Sequence, residues 1–92
     1  MTAQSPIPAA PAKSGTLMRP ADVCRDTGLG LSTLYAHIDR GMFPAPVRLS
    51  RRFVVFPQEE VNAIIDARIA GKTDDEVRQL VAEIMEARKA RA

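Results

Sequence analysis

Four arginines lie close together in the middle of the chain, where their guanidinium groups could bind phosphate oxygens through several N–H donors. They are Arg40, Arg48, Arg51 and Arg52. The segment 40–52 contains no Asp or Glu. The whole chain has a formal net charge of only +2, so this local pattern, rather than the total charge, favours a nucleic-acid backbone as partner. A solvated arginine-rich loop is the alternative interpretation.

Three hydroxyl-bearing side chains lie upstream, at the start of a predicted helix. They are Ser32, Thr33 and Tyr35. In the first turn of a helix such groups can contact base edges or phosphates in the major groove, although Ser and Thr can also simply cap the helix and Tyr35 could belong to the core. Arg19 precedes Pro20 at another predicted helix start, where phosphates often bind. The candidate DNA-contacting residues are therefore Arg19, Ser32, Thr33, Tyr35, Arg40, Arg48, Arg51 and Arg52.

The composition argues against catalysis and metal binding. The chain has one Cys and one His, so it cannot form an internal disulfide, and these residue types cannot complete a zinc site. We expect Cys24 to pack as a small buried hydrophobe and His37 to lie at the surface. No glycine-rich phosphate loop or catalytic cluster indicates an enzyme, so no cofactor is expected. No stretch has the pattern of a membrane span or a signal peptide, which predicts a cytoplasmic protein.

Two short helices joined by a tight turn are predicted to position the hydroxyl-bearing residues. Pro20 suits the first position of the first helix, and Gly28 can end that helix in the left-handed conformation. Gly30 can act as the N-cap of the second helix, and Gly41 can close it. The apolar residues of the second helix recur at helical spacing, namely Leu31, Leu34, Tyr35 and Ile38. Two short helices at such a tight turn are typical of a helix-turn-helix.

A β-hairpin is predicted after the helix pair. The segments Val47–Leu49 and Phe53–Phe56 are rich in β-branched and aromatic residues, and the tripeptide Ser50-Arg51-Arg52 separates them. A hairpin with arginines at its tip, placed after a helix-turn-helix, is typical of the wing of a winged helix. Such a tip lies near the phosphate backbone or in the minor groove. Because two strands are not stable alone, the hairpin must pack on the helices.

Two further helices are predicted toward the C-terminus. Pro57 and the acids after it start the first, whose apolar stripe is expected in the core and comprises Val61, Ile64, Ile65 and Ile69. Thr73 and Glu76 form a capping box at the start of the second, and Asp74 is expected to pair with Arg78. The apolar face of this last helix fits either the domain core or a second copy of the chain; it comprises Val77, Leu80, Val81 and Ile84.

The predicted fold class is mainly α with a small β-hairpin, a winged helix-turn-helix plus an extra C-terminal helix. Residues 1–15 are rich in Pro and Ala and offer little to bury, so they are interpreted as a disordered leader. Residues 16–70 are assigned to the DNA-binding domain and residues 71–92 to the C-terminal helix, which serves either packing or oligomerisation.

Short motifs in a fixed order extend over residues 17–69. The most specific is the Gly-x-Phe-Pro-x-Pro-Val segment at 41–47. The others are Leu17-Met18-Arg19, Val23-Cys24, Thr27-Gly28-Leu29, Ser32-Thr33-Leu34-Tyr35, Phe56-Pro57 and Glu60-Val61. With these motifs the chain resembles the AlpA-like family of phage and mobile-element regulators, which is related in fold to excisionases and to MerR-type DNA-binding domains.

The resemblance implies a non-enzymatic winged helix-turn-helix that binds short sites in double-stranded DNA. It implies transcriptional regulation, or action as a recombination directionality factor (an excisionase) that bends DNA and directs an integrase, with several copies associating on DNA. Members often carry basic residues where this chain has Leu31 and Ala36, so more affinity is expected from the wing arginines, indirect readout and cooperative contacts. The alternative is a non-catalytic adaptor that binds a partner protein through the C-terminal helix.

Overall fold

The described part of the chain, residues 16–91 of a computed structural model, forms four helices and three short strands. In chain order they are β1 (Leu17–Met18), α1 (Pro20–Thr27), α2 (Leu31–Asp39), β2 (Val47–Arg48), β3 (Val54–Pro57), α3 (Gln58–Ile69) and α4 (Asp74–Ala90). The mainly helical fold class with a small antiparallel sheet is confirmed, and the order of elements is compatible with a winged helix-turn-helix plus a C-terminal helix. The predicted leader, residues 1–15, lies outside the described residues.

The turn between α1 and α2 forms where the glycines predicted it. Gly28 adopts the left-handed conformation, with φ of 78°, and its N–H donates to the Cys24 carbonyl at 2.8 Å. The Thr27 hydroxyl donates to the Val23 carbonyl at 2.8 Å, which closes the last turn of α1. Gly30 is the N-cap of α2. The two helices are therefore joined by only three residues, and this short link fixes the direction of α2 relative to α1.

The small sheet has the strand order β1-β3-β2, and both strand pairs are antiparallel. β2 and β3 form the predicted hairpin, with Val47 opposite Val55. β1 was not predicted as a strand; it pairs with the other edge of β3, where Met18 lies opposite Phe56. The third strand attaches the hairpin to the segment that enters α1, which meets the need of a two-stranded ribbon for further packing.

A single hydrophobic core joins the helices to the sheet. Its largest fully buried side chains include Phe56, Leu34, Val23, Val61 and Val77, so α1, α2, β3, α3 and α4 all contribute. The rings of Phe43 and Phe56 pack edge to face, with centroids 5.8 Å apart. Cys24 is half-buried against this core. Because Phe43 lies just before the hairpin, this aromatic pair anchors the connection between α2 and the sheet.

Two apolar side chains that follow the helical spacing lie outside the core, and the prediction that Ile69 belongs to the core was wrong. Leu31 is 54% exposed and Ile69 is 79% exposed. Leu31 is the first residue of α2 and Ile69 is the last residue of α3, so each lies at a helix end that extends past the core. Glu60 and Ala67 are buried on α3 instead. Helical spacing identifies a face, but the neighbouring elements decide which part of it is covered.

The last helix begins at the predicted capping box. The Glu76 N–H donates to Thr73 Oγ1 at 3.1 Å, and the Thr73 N–H donates to Glu76 Oε1 at 2.8 Å. The predicted pair between Asp74 and Arg78 was wrong. Asp74 Oδ1 instead pairs with Arg68 Nη1 at 2.9 Å, and Arg78 Nη1 pairs with Asp75 at 3.1 Å. Arg68 lies at the end of α3, so a partner from another helix displaces the local one.

The apolar face of α4 packs against the rest of the chain. Val77 and Val81 are buried in the core, and Leu80 and Ile84 are partly buried against it. The hydrophobic core of the described residues therefore extends into α4, and the face that could have met a second copy is largely covered by α3.

A buried ion pair fixes the distal part of α4. Arg88 Nη2 lies 2.5 Å from Glu60 Oε1 on α3, and Arg88 Nε donates to Glu60 Oε2 at 2.9 Å. Arg88 Nη2 also donates to the Ala45 carbonyl at 2.7 Å. Only 9% of the Glu60 side chain and 20% of the Arg88 side chain are exposed. One guanidinium therefore joins α4, α3 and the proline-rich segment before the hairpin.

Candidate nucleic-acid interface

The first turn of α2 presents short polar side chains to solvent. Leu34 is fully buried and fixes the opposite side of the helix, while Ser32 and Thr33 are exposed. Gly30 is the N-cap of α2, so neither Ser32 nor Thr33 occupies the capping position. Tyr35 is 37% exposed, one turn further along the same helix. The structure thus leaves the predicted contact residues of α2 accessible at its N-terminal half.

The hairpin tip holds its arginines in a closed turn. The Leu49 N–H donates to the Phe53 carbonyl at 2.8 Å, and the Phe53 N–H donates to the Ser50 carbonyl at 3.3 Å. Arg48 Nη1 donates to the Arg51 carbonyl at 2.6 Å, which fixes the tip from within. Arg51 and Arg52 are exposed. Arg48 therefore holds the turn in shape, and the two tip arginines have exposed side chains.

Arg19 contacts an aromatic ring next to the tip of the hairpin. Its guanidinium carbon lies 4.4 Å from the centroid of the Phe53 ring, a cation–π contact worth about 0.5–1 kcal/mol at an exposed site. Phe53 directly follows the tip arginines in the chain. The fold thereby associates a residue from the start of α1 with those of the hairpin. We call this group the wing arginines; it comprises Arg19, Arg48, Arg51 and Arg52.

Arg40 differs from the other predicted arginines in its surroundings. It is the C-cap of α2, and its carbonyl accepts a hydrogen bond of 3.0 Å from Arg78 Nε on α4. Its own side chain is exposed. The sequence cluster of four arginines is therefore divided between the C-terminal end of α2 and the hairpin.

The acidic group at the start of α1 is neutralised by its own neighbours. Asp22 Oδ1 lies 2.6 Å from Arg25 Nη2, and Asp22 Oδ2 accepts from the Arg19 N–H at 3.3 Å. The hydrogen bond from Arg25, followed by the one from the Arg19 backbone, lowers the pKa of the Asp22 carboxyl below its usual value. Its negative charge is therefore paired with Arg25 and leaves the Arg19 guanidinium to Phe53.

Two grooves lie elsewhere on the surface of the described residues. A groove between α3 and α4 is lined by Glu60 and Arg88, whose charged groups already bind each other. Within residues 16–91, no group of three or more His, Cys, Asp or Glu side chains is placed to hold a metal ion. None of the helices in this range has the length and apolar character needed to cross a membrane. The half-buried His37 lines a second, largely apolar groove at the end of α3.

Most of the described chain matches a known protein family. The family described as prophage CP4-57 regulatory protein (AlpA) matches residues 16–69, which extend from the start of β1 to the end of α3. The match contains all eight predicted contact residues and excludes α4. No curated protein matches the chain.

Proposed function

Because the chain belongs to the AlpA family of prophage regulatory proteins, we propose that it is a site-specific DNA-binding regulator of a phage or integrative mobile element. Family membership supports a phage-type regulatory protein that binds DNA. The observation that carries the proposal to this chain is the exposed N-terminal half of α2 in the same domain as a hairpin bearing exposed arginines. These are the two kinds of surface that such a protein needs, one to read bases and one to bind the backbone.

The α2 surface and the hairpin surface have different roles in the proposed recognition of DNA. In the proposed complex the first turn of α2 enters the major groove, where Ser32 and Thr33 contact base edges or phosphates and Tyr35 contacts bases. The wing arginines bind phosphates and supply the sequence-independent part of the affinity. Arg40 contacts the backbone at the other end of α2. No residue in this scheme performs catalysis or needs a cofactor.

Cooperative binding is part of the proposal. A single module of this size buries about 600–1,000 Å² on DNA, which limits its affinity. Several copies on adjacent sites would raise the affinity and bend the DNA between them. Such an assembly would serve as a recombination directionality factor that acts with an integrase, as a transcriptional regulator, or as both, in the cytoplasm.

A gel-shift titration tests the proposal directly. The protein is titrated onto a fragment that spans the attachment site and neighbouring promoter of the host element, and onto random DNA of equal length. We expect a ladder of discrete shifts on the specific fragment alone, and footprinting then assigns the occupied positions to the attachment site or the promoter. A single shift that does not progress contradicts cooperative assembly, and equal binding to both fragments at physiological salt contradicts site-specific recognition.

The alternative function, an adaptor that binds a partner protein through α4, is less well supported. Its apolar face would have to be free, whereas Val77 and Val81 are buried in the core. If the protein is retained on a heparin or DNA column and this retention falls as salt is added, DNA binding is favoured over the adaptor function.

A further inference from the structure

Leu31 is one of two neighbouring exposed apolar side chains on α2, and it has no role in the contacts proposed so far. Leu31 is 54% exposed and Tyr35 is 37% exposed. They are four residues apart in one helix and therefore lie on the same face, one turn apart. Single exposed apolar side chains are ordinary on protein surfaces. These two, however, are neighbours, and Leu31 is the first residue of the helix proposed to enter the major groove.

The charge of α2 restricts what this face can recognise. Residues 31–39 contain no Lys or Arg, so the helix lacks the side chains that most often read guanine through its O6 and N7 atoms. An aliphatic side chain forms no hydrogen bond to a base edge or a phosphate. In the major groove the C5-methyl group of thymine is the apolar feature that such a side chain can contact.

We propose that Leu31 packs against the C5-methyl group of a thymine, with the Tyr35 ring beside it, and thereby selects an A·T pair at one position of the binding site. This inference rests on the proposed DNA-binding function and adds a specificity-determining residue to it. Leu34 on the buried side holds the helix in place, so the exposed Leu31 is presented from a fixed backbone. The adjacent Ser32 hydroxyl is left to accept or donate a hydrogen bond at the neighbouring base.

The test removes the methyl group from the DNA and the leucine from the protein. Bound sequences are first selected from a random duplex library with the full chain, and each thymine of the selected site is then replaced singly by deoxyuridine. We expect one position at which this replacement weakens binding by about fourfold, the effect of losing one buried methyl group. In the Leu31→Ala protein the same replacement should have no effect, and the salt dependence of binding should be unchanged.

Two further variants make the result specific. Leu31→Met keeps an apolar side chain and should retain the sensitivity to deoxyuridine. Leu17→Ala removes a leucine of similar exposure, 51%, that lies on β1 instead of α2, and it should also retain the sensitivity. Loss of the effect in the Leu31→Ala protein alone therefore supports a direct contact.

Each other outcome overturns the inference in a different way. A selected site with no deoxyuridine-sensitive position, or an effect that persists in the Leu31→Ala protein, refutes the thymine contact while leaving site-specific DNA binding intact. In another outcome, the first copy of the Leu31→Ala protein binds DNA with unchanged affinity but further copies no longer bind cooperatively. This result assigns the Leu31 face of α2 to a contact between protein copies and refutes the thymine contact. If no sequence is selected and binding does not respond to salt, the proposed function itself fails, and the inference fails with it.

Discussion

Replacing Arg88 by Met should destabilise the domain far more than replacing Arg91, the exposed arginine at the C-cap of α4. The substitution retains the length of the aliphatic stem but leaves the Glu60 carboxylate without its donors at 2.5 and 2.9 Å and the Ala45 carbonyl without its donor at 2.7 Å. Removing one partner of a buried pair costs about 3–5 kcal/mol. Because 20% of the Arg88 side chain is exposed, we expect a loss of about 2–3 kcal/mol in the free energy of unfolding.

Urea unfolding followed by far-UV circular dichroism measures this loss, since the chain has no Trp for fluorescence. The matched control is Arg91→Met. Arg91 Nη1 lies 3.9 Å from Glu59 Oε2, and both side chains are more than half exposed, so we expect a change below about 0.5 kcal/mol. In thermal unfolding the Arg88→Met variant should melt on the order of 10–20 °C lower than the wild type.

A double variant separates the ion pair from the packing of the stem. Glu60→Met combined with Arg88→Met removes both charges, so no carboxylate is left buried without a partner, and the double variant should be more stable than Arg88→Met alone. If Arg88→Met unfolds within about 0.5 kcal/mol of the wild type, or if the double variant shows no recovery, the reasoning from the buried pair is refuted.

Three further predictions concern the interface and the acidic helix caps. Arg51→Ala should weaken binding to all DNA sequences and lower the slope of log affinity against log salt by about one unit; Arg91→Ala, at the C-cap of α4, serves as the control, and an unchanged slope would remove Arg51 from the phosphate-backbone contacts. Tyr35→Ala should change the sequences selected from a random library, whereas equal losses on selected and random DNA would argue against a reading role. The pKa of Asp74 is lowered chiefly by a hydrogen bond from Arg68, and the pKa of Glu76 chiefly by one from the Thr73 backbone. Both carboxylates therefore stabilise the fold at pH values above their unfolded pKa values, near 3.8 and 4.5. This stabilisation is lost as the pH falls through the lower pKa values of the folded state. The difference in unfolding free energy between the wild type and Asp74→Asn, measured with urea, should accordingly be larger at pH 6 than at pH 3, and a difference that is constant with pH would contradict this.

The helix boundaries could be predicted because their causes are local. Gly28 in the left-handed conformation ends α1, and the reciprocal hydrogen bonds of Thr73 and Glu76 begin α4. Each signal involves residues within four positions of one another, so it is visible in the sequence. The hairpin is local in the same sense, because Val47 and Val55 pair across a short tip. These parts of the fold required no knowledge of distant contacts.

The features that the sequence did not reveal depend on residues that are distant in the chain. β1 has two residues, too few for an alternating pattern, and becomes a strand only because it meets β3. Glu60 and Arg88 are 28 residues apart, and each resembles an ordinary helix-surface charge until α3 and α4 pack together. The contact between Arg19 and Phe53 has the same origin. For the interface, the sequence identified the candidate arginines but not which of them the fold associates with the hairpin.

These long-range contacts predict a specific role for α4 in the geometry of the proposed interface. Residues 40–45 form the first part of the link between α2 and the hairpin. Two arginines of α4 donate hydrogen bonds to backbone carbonyls at the two ends of this segment. Arg78 donates to the Arg40 carbonyl at 3.0 Å, and Arg88 donates to the Ala45 carbonyl at 2.7 Å. A site-specific complex needs α2 and the wing arginines in one fixed relation, whereas non-specific binding to phosphates tolerates variation in that relation. The Arg88→Met protein, under conditions where it is folded, should therefore lose affinity for its specific site more than for random DNA, and equal losses would show that α4 stabilises the domain without orienting its two contact surfaces.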